Sequence, residues 1–378
     1  MTVFSEKLAR LLESKAFWAP VLALCVLHAF CTGFYMPSIW VTNYYTVSFF
    51  DGFFRRALIG TFLYPFGDAR MHYHFIASVQ LLVGAGLLAF VLRKVLTVQQ
   101  SVAYILYLVS AFFLSRWGAF FFGMQGHPEW LMYLVALLSL SVKSSAARVG
   151  LLASTVWMHE MAVFTCLPLW FALEYLWFER RKTAWLGLAA CAASFLVIYF
   201  IFQSVSAETL LQYYQRLNDS SYLPAYDYLE VFRSGLADEK FKVFGWYGQK
   251  DAFRIQGLYL ELALALGGIL AAGMWAHGKN RFHTAIIFGA ALAPLLMGWF
   301  AYDVNRWVFL VLANTITLFL VFFGRMGEGV KTAFMAAALL CFLTCAPEMP
   351  DGKYYRPLNE FLGFINNLGR HVASVPLR

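Results

Sequence analysis

Residues 75–92 read FIASVQLLVGAGLLAFVL, a run of 18 residues without a charged side chain, and Arg93 and Lys94 follow it directly. A helix of about 20 apolar residues is long enough to cross the hydrocarbon core of a bilayer. Only helices and closed barrels satisfy their backbone hydrogen bonds in lipid, and barrel strands would alternate apolar and polar residues. The continuous run therefore predicts a transmembrane helix.

Similar runs recur along the whole chain of 378 residues, of which 61% are hydrophobic and only 13% charged. Soluble domains usually carry about 25% charged residues. We expect an all-α, polytopic membrane protein that forms one transmembrane domain over residues 1–378, with about 11 spans. The predicted spans are 17–37, 74–94, 100–120, 129–142, 147–158, 161–178, 184–204, 255–276, 282–300, 305–324 and 331–348. The spans 129–142 and 147–158 are too short to cross upright, so they are either short buried helices or two arms of a broken hairpin.

The distribution of basic residues predicts the orientation, because short cytoplasmic connections are enriched in Lys and Arg. With the N-terminus in the cytoplasm, 14 basic residues fall in inner segments and five in short outer segments. This arrangement leaves the C-terminus outside. It also accounts for the net charge of +8 without a nucleic-acid partner, since no long run of Lys and Arg occurs.

Three outer segments are more than simple connections. Residues 38–73 contain VSFFDGFFRRALIGTFLYPFG, which predicts an amphipathic helix in the membrane interface. Residues 205–254 form a polar loop rich in tyrosine, and residues 349–378 form an outer tail. The length of the tyrosine-rich loop favours a functional role.

Ionisable residues near the membrane are costly unless they are paired or hydrated, and here they gather at the predicted outer ends of spans. Asp51 and Arg55 would share one face of a helix, with Arg56 beside them. This group is either a local salt bridge that anchors the segment in the interface, or a carboxylate base beside a phosphate-binding arginine pair.

His159 and Glu160 interrupt the apolar stretch 147–178. The pair either fixes helix packing or takes part in catalysis. A divalent metal is a further alternative, but one His with scattered carboxylates lacks a zinc pattern, so no metal ligand is assigned and the need for a cofactor stays open.

Further candidates complete this outer set. Asp303 either caps the helix that follows it or pairs with a residue three positions later. The tyrosines either stack on sugar rings or belong to an interfacial aromatic belt. These candidates are Arg116, His127, Glu129, Asp303, Arg306, Tyr213 and Tyr214.

The layout of spans, a large outer loop and a first outer loop with an interfacial segment resembles the bacterial C-type (GT-C) integral membrane glycosyltransferases and related exopolysaccharide and O-antigen enzymes. Asp51 stands where those enzymes usually carry a catalytic carboxylate, although the second adjacent acidic residue is replaced by Gly52. The resemblance covers the span layout of most of the chain, and its motifs are short.

This resemblance implies a multi-pass protein of the bacterial inner membrane whose active face is periplasmic. It would transfer a sugar from a polyprenyl-phosphate donor to a glycan or lipid acceptor, with membrane lipids around it. Asp51 would be the base, with His159, Glu160 and Asp303 as further catalytic residues. The substrate-binding residues would be Arg55, Arg56, Arg116, His127, Glu129, Arg306, Tyr213 and Tyr214.

Other functions fit the same features less well. A transporter or flippase of an anionic lipid-linked substrate should carry charges near the membrane midplane and on both faces. A membrane O-acyltransferase would use His159 as its base and accept an acyl donor from the cytoplasm. A non-catalytic assembly subunit is a further alternative.

Overall fold

The computed structural model describes residue 11 and residues 13–37, 39–50, 56–97, 102–201, 264–273, 280–299 and 304–344. All regular secondary structure in these ranges is helical. The α-helices are α1 (Lys15–Gly33), α2 (Ile39–Thr46), α3 (Leu58–Leu63), α4 (Tyr73–Thr97), α5 (Val102–Leu114), α6 (Arg116–Gly123), α7 (Pro128–Ser139), α8 (Ser145–Met158), α9 (Cys166–Ala172), α10 (Arg181–Ile201), α11 (Leu264–Gly273), α12 (Arg281–Leu292), α13 (Val304–Phe322) and α14 (Glu328–Thr344). Short 3-10 helices cover Tyr64–Met71, Glu160–Val163, Ala293–Trp299 and Phe323–Arg325, and a π-helix covers Leu173–Trp177.

Four of the described helices are long and apolar enough to cross a membrane, namely α1, α4, α10 and α13. The count becomes five if α5 and α6, which meet at a bend of 67°, form one span. Large apolar side chains on described helices are exposed, including Leu82 of α4 at 72%, Phe200 of α10 at 74% and Leu343 of α14 at 84%. Apolar helices with exposed apolar faces indicate a membrane protein.

The described chain divides into two compact units. In the first, which combines the described residues within 1–37, 80–125 and 338–344, α1 packs against α5 and α6. A Cβ atom added to Gly33 would lie only 2.0 Å from the carbonyl oxygen of Ala119. Glycine therefore allows the backbones of α1 and α6 to approach closely.

The second unit combines the described residues within 39–79 and 126–337 and is built around α13. In the most apolar stretch of α13, 67% of the residues are buried, whereas only 28% are buried in the corresponding stretches of α1 and α4. Trp307, Phe319 and Phe322 of α13 are fully buried. Helix α13 contacts α12, which contacts α9, while α8 packs between α7 and α10. The candidate functional residues of this unit lie at the starts of α7 and α13, after the end of α8 and just before α3.

The sequence predicts one amphipathic helix in the first outer segment, residues 38–73, but the described residues there include two short α-helices. Helices α2 and α3 lie within this segment, but residues 47–50 between them are not helical, and residues 51–55 lie outside the described ranges. Hydroxyl groups take the backbone donors here: Phe49 N–H donates to Thr61 Oγ1 at 2.8 Å, and Phe50 N–H to Ser48 Oγ at 3.2 Å. Such side-chain acceptors compete with helical hydrogen bonds, so the helix ends at Thr46.

Candidate functional site

The turn after α8 places two polar side chains inside the second unit. His159 has an extended backbone that ends α8, and its Nδ1 accepts a hydrogen bond from the N–H of Met161 at 3.2 Å. The imidazole therefore caps the short helix Glu160–Val163. His159 and Glu160 are both buried, with 1% and 6% exposure. The sequence thus breaks the helix where two ionisable groups enter the protein.

A buried ion pair joins this turn to Arg56, the last residue of the FDGFFRR stretch in the first predicted outer segment. Arg56 donates its Nε–H to both carboxylate oxygens of Glu160 at 3.0 Å, and its Nη2 also contacts Glu160 Oε1. The guanidinium lies 5.8 Å from the centre of the Tyr44 ring, and that ring lies 5.5 Å from the ring of His159. These contacts hold the Arg56 guanidinium between the Glu160 carboxylate and the Tyr44 ring.

The backbone of Arg56 has a φ of +65°, in the left-handed region that residues with a side chain rarely adopt. Such a conformation persists only where the surrounding structure enforces it, and it is concentrated at functional sites. Arg56 thus combines a rare backbone conformation with a buried ion pair to Glu160.

A second ion pair forms between the starts of α7 and α13. Arg306 Nη2 lies 2.8 Å from Glu129 Oε1, and Arg306 Nη1 lies 3.3 Å from Nδ1 of His127. Pro128 occupies the first position of α7 and Glu129 the second, so the carboxylate stands at the positive end of that helix. Arg306 Nη2 also contacts the sulfur of Met161 at 3.8 Å, which joins this pair to the His159 turn.

The two pairs form one charged cluster, defined by Arg56, His127, Glu129, His159, Glu160 and Arg306. Each arginine is matched by a glutamate, as buried charges require. Burial, followed by the positive charge of Arg306, lowers the pKa of His127 well below its ordinary value, so this imidazole is neutral at pH 7. Burial, with a smaller effect of the Glu129 carboxylate, raises the pKa of Tyr45, so its hydroxyl keeps its proton.

The two carboxylates differ in their hydrogen bonds. Glu160 accepts three contacts from Arg56. Glu129 is only 2% exposed, yet neither of its oxygens accepts a well-aligned hydrogen bond from any residue in the described ranges. Glu129 is thus paired by charge but keeps acceptor capacity, whereas Glu160 uses its capacity to hold Arg56.

The structure brings together six of the predicted site residues, which are the members of the charged cluster. Arg116 is the first residue of α6, is exposed, and belongs to the first compact unit. The other predicted site residues lie outside the described ranges; these are Asp51, Arg55, Asp303, Tyr213 and Tyr214. In the described ranges, no group of three His, Cys, Asp or Glu side chains is placed to hold a metal ion.

Sequence reasoning missed an uncharged polar residue of α13. Asn314, in the middle of α13, accepts a hydrogen bond from the hydroxyl of Tyr133 at 2.8 Å. Its amide donates to the carbonyls of Thr165 at 3.2 Å and Ala290 at 2.9 Å. An Asn in an apolar span is itself a signal, because its polar groups need partners in lipid. Asn314 carries no charge, so it is not among the ionisable residues that the sequence singles out.

Comparison with protein-family models, with curated proteins and with solved structures found no match to this chain.

Proposed function

We propose that this protein is a bacterial inner-membrane glycosyltransferase. It transfers a sugar from a polyprenyl-phosphate-linked donor to a glycan or lipid acceptor on the outer face. In this proposal the chain crosses the membrane about eleven times, with its N-terminus inside and its C-terminus outside. The observation that carries the proposal is the charged cluster, in which two buried arginines, two carboxylates and two imidazoles from distant segments meet.

The arginines provide the chemistry that a lipid-phosphate leaving group needs. A guanidinium stays charged at any physiological pH and matches phosphate oxygens with paired N–H donors. Glu160 orients Arg56, and Glu129 with His127 orients Arg306. Cations oriented before the reaction stabilise the negative charge that develops as the sugar–phosphate bond breaks.

The base in this proposal is Asp51, which precedes Arg56 by five residues. Five residues of chain span at most about 18 Å, a length compatible with a base that acts beside the cluster. Its carboxylate takes the proton of the acceptor hydroxyl while the hydroxyl oxygen attacks the anomeric carbon. The bond from that carbon to the phosphate oxygen breaks, and the polyprenyl phosphate leaves with the electron pair, next to an arginine.

Glu129 is the next candidate for the base. It keeps the acceptor capacity that an incoming hydroxyl requires, whereas Glu160 is occupied by Arg56. This difference favours Glu129 over Glu160 as the alternative to Asp51. Glu160 and His159 are then positioning residues. Glu160 holds the guanidinium of Arg56, and His159 holds the backbone of Met161 in the turn.

Purified protein in liposomes, supplied with a panel of radiolabelled polyprenyl-phosphate sugars and with candidate acceptors, tests the proposal. Asp51→Asn should lower turnover by roughly 10²–10⁴-fold while donor binding persists, since only the base is lost. Arg55→Ala and Arg56→Gln should weaken donor binding instead. Unfolding curves of each variant show whether it still folds.

Two results would contradict the proposal. If Asp51→Asn and Glu129→Gln both fold and keep full activity, neither carboxylate is the base. If wild-type protein moves the intact lipid-linked sugar across the bilayer and never transfers it, the protein is a transporter.

A further inference from the structure

A second concentration of charge lies away from the charged cluster, where α8 and α10 begin. A surface cavity of about 650 Å³ opens there, and five basic side chains line it. We call it the basic pocket; its basic residues are Lys143, Arg148, Arg180, Arg181 and Lys182. Its volume lies within the usual range of small-ligand sites, about 300–1,000 Å³.

The starts of two helices meet at the basic pocket. Thr183, in the first turn of α10, donates its hydroxyl to Ser145, the first residue of α8, at 3.2 Å. Both residues line the pocket. The first turns of these helices present the positive ends of their dipoles, which attract anions.

Buried contacts fix the floor of the basic pocket. The side chain of Arg148 is 5% exposed and lies 3.3 Å from Glu174 Oε1, and the same oxygen lies 3.3 Å from Arg180. Arg148 also donates to the carbonyl of Val142 at 2.7 Å and to Ser145 Oγ at 2.9 Å. These two arginines therefore fix the pocket's shape, and Glu174 offsets part of their charge.

The rim of the basic pocket carries the uncompensated charge. Lys143, Arg181 and Lys182 are exposed, and within the described ranges none of them pairs with a carboxylate. Glu179 is the other acidic residue at the pocket, so the five basic groups exceed Glu174 and Glu179 by three charges. An anion that enters the pocket meets a net positive field.

Aromatic side chains beside the pocket indicate the depth at which it lies. Trp177 and Trp185 are 39% and 49% exposed, and Phe178, below the guanidinium of Arg180, is 38% exposed. Exposed tryptophans are typical of the boundary between lipid and water. The bias of basic residues predicts that this end of α8 and α10 faces the cytoplasm, where anionic lipid headgroups are available.

From these contacts we propose that the basic pocket binds the phosphate group of an anionic phospholipid headgroup. The phosphate sits between the first turns of α8 and α10, against Lys143, Arg181 and Lys182. This site is separate from the charged cluster, and the inference does not depend on glycosyl transfer. Soluble phosphate shares the same chemistry, so the test distinguishes the two sources.

The test uses full-length protein in nanodiscs of zwitterionic lipid, titrated with phosphatidylglycerol and followed by native mass spectrometry of bound lipid. The pocket variant carries Lys143→Gln, Arg181→Gln and Lys182→Gln, and leaves Arg148 and Arg180 in place. A matched control carries Arg93→Gln, Lys94→Gln and Arg281→Gln, three basic residues that are predicted to lie on the same face outside the pocket. Both variants lose the same charge.

Each basic residue near an anionic surface is worth about fivefold in affinity, so the pocket variant should bind the anionic lipid about 100-fold more weakly. The control should keep saturable binding close to that of the wild type. Equal losses in both variants, or no loss in the pocket variant, would overturn the proposal. A parallel titration with inorganic phosphate identifies the source: competition at millimolar phosphate assigns the site to soluble phosphate, and no competition assigns it to the lipid headgroup.

Discussion

Arg56 donates its Nε–H to both carboxylate oxygens of Glu160, a residue 104 positions further along the chain. Both side chains are buried, with 5% and 7% exposure. Because the two charges depend on each other, the pair should respond to mutation as a unit.

Replacing Glu160 with Gln should lower the free energy of unfolding by about 3–5 kcal/mol, because it leaves the guanidinium of Arg56 buried without its anion. The double change Arg56→Met and Glu160→Leu should be less destabilising than that single change, since it removes both charges. Unfolding in a detergent titration measures both effects. Glu328→Gln is the matched control: that carboxylate pairs with Lys331 at 2.6 Å but is 77% exposed, so the loss should stay below about 1 kcal/mol. Equal losses at Glu160 and Glu328 would contradict the prediction.

Gly60 should be essential for the packing of α3. A Cβ atom added there would lie 1.9 Å from the carbonyl oxygen of Val47, a backbone atom that cannot turn away. Gly60→Ala should therefore cost about 1–3 kcal/mol. Gly150→Ala is the control, because a Cβ there has nothing within 4 Å and should stabilise α8 by about 0.5–1 kcal/mol. Thermal unfolding that ranks the two variants the other way would refute this account of the α3 packing.

His127 should make stability depend on pH. Burial and Arg306 lower the pKa of His127 below its ordinary 6.5, so below that pH the unfolded chain binds a proton that the folded chain does not. The neutral imidazole therefore contributes fully to the free energy of unfolding above pH 6.5, and this contribution is lost as the pH falls towards the lowered pKa. Unfolding free energies at about pH 5–8 for wild type and His127→Asn should converge as the pH falls. Parallel curves would mean that His127 titrates alike in both states.

The proposed orientation predicts an asymmetric labelling pattern. In a background without the six native cysteines, a membrane-impermeant thiol reagent should label Ser220→Cys in intact cells. It should label Ala146→Cys only after permeabilisation. Ala146 is preferred over Ser144, because Ser144 Oγ accepts the N–H of Ala147 at 3.3 Å and caps α8. The reverse pattern would place every candidate catalytic residue on the cytoplasmic side.

The positions of the helices could be predicted from the sequence, because long apolar runs need no information about distant partners. Each predicted span overlaps a described helix, but only four or five of the described helices are long and apolar enough to cross a membrane. The 3-10, α and π segments inside 161–178 could not be predicted, since they depend on the cap at His159 and on tertiary contacts.

The importance of His159 and Glu160 could be predicted from the cost of placing them in an apolar stretch, but their partners could not. No local pattern links Glu160 to Arg56 or Arg306 to Glu129. The role of Glu174 was missed for the same reason. On the sequence it is one inner acidic residue, whereas in the fold it joins Arg148 to Arg180.

The polar groups of α13 have a consequence for the order in which the protein is made. Arg306 and Asn314 would make this helix costly to insert into lipid alone. Their partners Glu129, Tyr133 and Thr165 precede them, with Tyr133 and Thr165 lying 181 and 149 residues before Asn314. Those partners leave the ribosome first, so α13 emerges when the groups that neutralise its charge and bind its amide are already available. The order in which the helices are synthesised is thus the order of insertion that the polar contacts of α13 favour.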